Sequence, residues 1–245
     1  MKAPIAVTLA ALTLAVTPAR AIVGDSADDA AHADETVMVL SRDPKGSGFC
    51  TGIVLTPRII LTAAHCLRAP SDMLVHFRDP GGAPVVVEVA AKLVHPDYRP
   101  DAAQRRVRSI DVGLLETKTA LPSRFRPPKL GEGEPPPPGD AVIVVGYGIT
   151  REGEPKSGGA LRAGQLRVRE PRSQVLLWAA PENGDGGACS GDSGGPIYAA
   201  DDKTVVAAVA WTEGRLGHKC GALTQGVLLA PLRAWIETAI SRWQD

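Results

Sequence analysis

Short runs of β-branched and apolar residues recur along this chain, each closed by glycine, proline or a polar turn: Val37–Leu40, Gly52–Leu55, Ile59–Thr62, Leu74–Phe77, Val85–Val94, Val112–Leu115, Ala141–Val145, Val175–Ala179, Val205–Trp211 and Val227–Leu229. Runs this short favour strands over helices, and their regular punctuation predicts an all-β sandwich or barrel. The tail from Pro231 through Trp243 changes period. Leu232, Trp235, Ile236, Ala239, Ile240 and Trp243 recur at helical spacing, which predicts a terminal amphipathic helix capping the body.

Two stretches interrupt this rhythm. Between Leu121 and Gly139 the composition turns to proline, glycine and charge, with four consecutive prolines at 135–138 that cannot donate ladder hydrogen bonds. This is read as a crossover, about 117–139, between two halves. Arg151–Gly164 is expected to be an irregular exposed loop.

The chain opens with Lys2, an apolar run from Ile5 to Val16, and Ala19-Arg20-Ala21, the small-residue pattern of a leader cleavage site. Residues 1–21 are therefore expected to be a signal peptide and 22–245 the working domain, secreted or periplasmic. The apolar run is too short for a spanning helix, so no membrane association is expected. Lysine plus arginine and aspartate plus glutamate each number 27, and loss of Lys2 and Arg20 leaves a slightly negative chain. Such a balance gives no electrostatic case for nucleic acid. Arg105, Arg106 and Arg108 form a local basic cluster, read as a solvated loop. Nothing in the sequence demands more than a monomer.

Cysteines in an exported chain point to disulfides. The four cysteines allow three pairings, of which Cys50 with Cys66 and Cys189 with Cys220 is the local choice. With no Cys-x-x-Cys or His-x-x-x-His pair, neither a metal nor another cofactor is expected.

The segment Cys189-Ser190-Gly191-Asp192-Ser193-Gly194-Gly195-Pro196 carries the chemistry. Glycines on both sides of a serine let a substrate approach the backbone and let neighbouring amides converge where an oxyanion can sit. A serine hydroxyl needs a base. His32, His76, His95 and His218 have ordinary surroundings, whereas His65 ends an apolar strand, Leu61-Thr62-Ala63-Ala64-His65, beside a cysteine able to staple its loop. Asp111 interrupts the apolar run Ile110-Asp111-Val112-Gly113-Leu114-Leu115, where a carboxylate is costly unless paired, and is the candidate to orient the imidazole. Asp97 and Asp101, in polar sequence near prolines, read better as turn residues.

Taken together, Ile22-Val23-Gly24-Asp25, Thr62-Ala63-Ala64-His65-Cys66, Asp111-Val112-Gly113-Leu114-Leu115 and Gly191-Asp192-Ser193-Gly194-Gly195-Pro196 resemble, in order, the signature segments of trypsin/chymotrypsin-like serine proteases. An esterase of the α/β-hydrolase type would need the order Ser, Asp, His. The resemblance implies two six-stranded antiparallel β barrels with the active site between them and a C-terminal helix. It implies a serine endopeptidase acting on protein or peptide, with catalytic His65, Asp111 and Ser193 and an oxyanion hole at the amides of Gly191 and Ser193. The two local disulfides also match the family. A freed Ile22 amine would pair with Asp192. The specificity pocket falls at Gly187, Ala188, Ala210, Trp211, Thr212 and Gly226. Gly187 stands where enzymes that cut after Lys or Arg carry an aspartate, and Asp185 lies two residues too early to replace it. Thr212, where wide pockets have glycine, narrows the mouth, so small or medium apolar side chains are expected. Ala210 stands in place of a serine that often supports the aspartate. The alternative is a protease-like binding protein with little or no turnover.

Overall fold

The computed structural model describes residues 22, 26–44, 46–105, 107–183 and 186–244. The expected leader at 1–21, Arg106 of the basic cluster and Asp185 lie outside the described residues.

The strands of the first barrel are β2 (Thr36–Asp43), β3 (Gly46–Val54), β4 (Ile59–Thr62), β5 (Met73–Arg78), β6 (Pro84–Val94) and β7 (Gly113–Thr117). They close in the order β2-β3-β4-β7-β6-β5. β4 consists of three apolar residues and Thr62, and all four are buried because both faces of the strand are covered. Val37, Val39, Val54, Ile60, Val75 and Leu115 fill the interior. Fully burying an aliphatic side chain of this kind stabilises by roughly 1.5–3 kcal/mol, so this lining is the main force closing the ring.

The second ring contains β9 (Ala141–Gly146), β10 (Arg162–Arg169), β11 (Leu176–Ala180), β12 (Pro196–Ala199), β13 (Thr204–Glu213) and β14 (Leu223–Leu228). The path β10-β11-β14-β13-β12-β9 is closed by pairing of β9 with β10. The three-residue β1 (Ser26–Asp28) adds to the edge of β10, and the two-residue β8 (Lys129–Leu130) runs parallel to β13. Two six-stranded antiparallel barrels are thus the architecture, as the resemblance implies.

β10 corrects the expectation of a loop through Gly164, because the strand begins at Arg162. Its buried residues, Gly164, Leu166 and Val168, alternate with Gln165, Arg167 and Arg169, so a half-polar strand hides behind its charged face. β12 escapes detection for a different reason: it follows the glycine-rich serine segment without a break.

Besides the four-residue helix α1 (Ala102–Arg105), one longer helix, α2 (Arg233–Gln244), follows a 3-10 turn at Ala230–Leu232. Leu232, Ile236 and Ala239 are buried, with Trp235, Ile240 and Trp243 packed beside them, as the helical spacing predicts. The same cluster contains Ile110 and Val112 together with Tyr198, Val205, Ala208 and Ala210 of the second barrel. Residue 111 is therefore flanked by two anchors set into the core that joins helix and barrels.

Candidate active site

His65 sits in a 3-10 turn, Ala64–Cys66, immediately after β4. The disulfide Cys50–Cys66 ties that turn back to β3. Asp111 approaches from the loop before β7. Its Oδ2 lies 2.7 Å from His65 Nδ1, and its Oδ1 accepts the His65 backbone N–H at 2.9 Å. One carboxylate thus holds both the ring and the main chain of the histidine. Nδ1–H donation to Asp111 leaves the Nε2 lone pair free to accept a proton.

Ser193 belongs to the second barrel but is gripped by the first. Thr51 of β3 donates its N–H to Ser193 O at 2.9 Å and its hydroxyl to Gly191 O at 2.8 Å. Thr62 Oγ1 donates to Thr51 O at 2.7 Å, which ties the end of β4 into the same contact. Gly194, at φ +83°, lies so close to Thr62 and Ala63 that a Cβ there would fall 2.2 Å from Thr62 Oγ1. Only glycine allows this approach. The serine loop is thus pressed against the strand end that leads into His65. Cys66 Sγ, next to the histidine, lies 4.0 Å from Ser193 O.

Gly191 is at φ +102°, with its Cα against the Phe49 ring and Gly148. Among the described residues, the N–H groups of Gly191 and Ser193 donate to no other protein group. Asp192 between them is fully buried, its carboxylate accepting the N–H of Gly148 at 2.7 Å and of Cys189 at 2.9 Å. Burial pushes its pKa up to about 7 against the pull of those two amides. Gly146 and Gly148 have no side chains because the Asp192 carboxylate occupies that space; a Cβ would come within 2.2 and 2.3 Å of it. Ile22 is buried among Val142, Leu166 and Ala188 of the second barrel.

Cys189–Cys220 forms the second disulfide, and both bridges are the local pairs expected. Gly187, at φ +130°, and Ala188 are buried behind the serine loop. Ala188 N–H donates to Thr224 Oγ1 at 3.0 Å, and Gly186 N–H donates to Gly221 O at 2.7 Å. The wall facing Gly187 is therefore built from Gly221 to Thr224. Gly226, expected in the pocket, instead packs its Cα against Ile197 and Ala207 within the barrel. Gly226 lies two positions beyond Thr224, the last residue of that wall, and only the register of β14 reveals this. Ala210 lies at a bulge in β13, Trp211 is half exposed, and the Thr212 hydroxyl donates to Lys219 O at 3.3 Å. Thr51 and Thr224 escape sequence reading because isolated threonines carry no local signal of a distant partner.

The sulfurs of Cys50 and Cys66 lie near His65, but joined in a disulfide they offer no thiolate to a metal. A histidine held by a carboxylate, a serine on an adjoining loop and two amides without a protein acceptor among the described residues can perform acyl transfer.

The family model described as Trypsin matches residues 22–236. Trypsin alpha-4 of Lucilia cuprina is 32% identical over 229 residues, covering 82% of this chain and 82% of that one. Human granzyme M is 28% identical over 222 residues, covering 82% of this chain and 83% of its own. Among solved structures, neuropsin, a serine protease expressed in the limbic system of mouse brain, superposes with a TM-score of 0.66 at 19% identity, covering 83% and 93% of the two chains. An inactivated protease paralogue of the scabies mite superposes at 0.68 with 23% identity, covering 85% and 95%. At those identities the superpositions establish the fold, and the family match over 22–236 establishes the rest: the chain belongs to the trypsin family and is a serine endopeptidase.

Proposed function

We propose that this endopeptidase is exported, begins at Ile22 when active, and cleaves peptide bonds after small or medium apolar residues by way of Ser193, His65 and Asp111. The observation that carries the reading is the double hold of Asp111 on His65 beside the serine loop. Ser193 Oγ attacks the scissile carbonyl carbon while its proton passes to His65 Nε2. The oxyanion accepts hydrogen bonds from the Gly191 and Ser193 amides. Collapse breaks the C–N bond, and the imidazolium returns the proton to the leaving amine. Water, deprotonated by the same nitrogen, then attacks the acyl-enzyme and releases the acid with Ser193 restored. Asp111 stabilises the imidazolium.

The pocket preference is supported by Gly187, Ala188 and Thr224, a lining without a carboxylate to pair with Lys or Arg among the described residues. Activation is supported by the surroundings of Asp192. A buried carboxyl raised to about 7 is poised to ionise when a cation arrives, and a freed Ile22 amine would supply one. Cleavage of the 1–21 leader would release that amine without a further processing step.

Intact-mass analysis of the secreted protein, with and without an organophosphonate that traps activated serines, tests this reading. One adduct on a chain beginning at Ile22, absent from Ser193→Ala, is the expected result. A correctly processed protein that takes no adduct would be a protease-like binding protein.

A further inference from the structure

The loop from Glu213 to Cys220 leads into the wall facing Gly187, and besides the disulfide at its end it meets the side chain of Glu152, from far earlier in the chain. Glu152 accepts the Lys219 N–H at 2.9 Å on Oε1 and 3.0 Å on Oε2. Its Oε2 also lies 3.2 Å from His218 Nδ1 and 3.9 Å from Cys220 Sγ. Cys220 is bridged to Cys189, four residues before Ser193, and the next residue, Gly221, accepts the N–H of Gly186. The Glu152 carboxylate therefore sits where the 213–220 loop joins the pocket wall itself.

The segment bearing Glu152 has two further grips on the serine loop. Gly148 N–H reaches Asp192, and Ile149 N–H donates to Ser190 O at 2.9 Å. Ser157 Oγ accepts the N–H groups of Thr150 at 3.2 Å and Arg151 at 3.1 Å, which fixes the turn from which Glu152 projects. Residues 148–152 thus join the amides that would hold the oxyanion to the wall that would hold the substrate side chain. The loop they restrain is under tension: Leu216 at its tip has φ +54° and is fully exposed, a conformation that a bulky L-residue adopts at a cost. Gly214 packs against His218, where a Cβ would come within 2.4 Å of the His218 carbonyl. Without an external hold, a strained exposed loop of this kind has little reason to keep one shape.

We infer that Glu152 is a positioning residue for the primary pocket, fixing the 213–220 loop through the Lys219 amide and His218 so that the wall at Gly221–Thr224 is formed before substrate binds. This rests on the pocket assignment made above. A preformed wall lowers the ordering cost of binding, so its loss falls on KM rather than on the chemical step.

The test uses the processed protein and peptide anilides with Ala or Val before the scissile bond. Glu152→Ala should raise KM by about tenfold with little change in kcat, the size expected for losing charge-assisted hydrogen bonds to one amide. Glu152→Gln keeps a carbonyl acceptor for the Lys219 N–H and should recover most of the loss. Hydrogen exchange should show faster labelling across 213–220 in Glu152→Ala, with the barrel strands unchanged. Organophosphonate labelling of Ser193 should stay complete, which separates a loosened pocket from a failed nucleophile. Unchanged KM, or unchanged exchange across 213–220, would overturn the inference. So would a fall in kcat and in labelling with KM preserved. Should wild type itself take no label, the nucleophile assignment fails, and unchanged exchange in Glu152→Ala would still refute the hold.

Discussion

Asp111 commits both carboxylate oxygens to His65, one to the ring and one to the backbone N–H. The orientation of the imidazole is thereby held by this carboxylate, and so is its tautomer. Asp111→Asn replaces one acceptor by a donor, which favours the tautomer with the proton on Nε2, where the base must accept one. Turnover should fall by about 10⁴-fold with the fold intact, the size associated with losing the correct tautomer in a triad of this kind. Steady-state kinetics beside a circular-dichroism melt checks it.

Gly191→Ala places a methyl group 2.4 Å from the Phe49 ring, on a backbone at φ +102°. The peptide must turn away from that conformation, carrying its N–H with it. Loss of one oxyanion donor lowers kcat by about 10²–10³-fold. KM for short peptides should move far less, and the comparison of the two constants is the readout.

Gly187→Asp should fail to convert the pocket to Lys or Arg cleavage. The backbone there is at φ +130°, and the new Cβ would lie 2.8 Å from Thr224 Oγ1, which already accepts the Ala188 N–H. The substitution should destabilise the protein by about 1–3 kcal/mol, the scale of a forced backbone outlier. Denaturant melts together with an arginyl-peptide assay decide the matter.

His32 is buried between two carboxylates, an arrangement that its polar sequence surroundings do not reveal. Its Nδ1 lies 2.6 Å from Asp29 and its Nε2 3.1 Å from Asp202, while its ring packs at a tilt on Tyr198, 4.2 Å between centroids, and the Tyr198 hydroxyl donates to Glu35 at 2.6 Å. Burial alone would lower the His32 pKa, but the hydrogen bond and charge of Asp29, with the charges of Asp202 and Glu35, raise it above 6.5. A raised histidine contributes stability that is complete below the unfolded value and disappears as pH rises through the folded one. Urea midpoints should fall above about pH 6.5 in wild type. In His32→Gln this component of the decline should be missing.

Asp192 gives a second pH signature that depends on processing. With the carboxyl raised from 3.8 to about 7, the native state holds a proton that the unfolded chain has lost, so this contribution to stability declines as pH rises from about 4 to 7. In a chain beginning at Ile22, pairing with the amine should lower the Asp192 pKa and remove that decline. Urea titrations at several pH values on precursor and processed forms, both carrying His32→Gln, compare them directly.

The chain's own order of residues determined the strands with strongly apolar runs, the terminal helix, the local disulfides and the triad candidates, because each is written in a few neighbouring positions. Ile59–Thr62 is the clearest case: three consecutive apolar residues followed by a threonine become a strand buried on both faces. Where the signal is divided, sequence falls short. β10 alternates buried Leu166 and Val168 with arginines, and its identity as a strand depends on β9 and β11 lying on either side. The hold of Thr51 on Ser193 spans more than a hundred residues, as does the close packing of Gly194 on Thr62, and neither leaves a local pattern. Thr224 rather than the expected Gly226 meets Ala188 for the same reason: the two share a face of β14, and which of them reaches the pocket and which reaches Ile197 depends on how the strand is aligned along its neighbours, a register fixed by the closed barrel rather than by any residue alone.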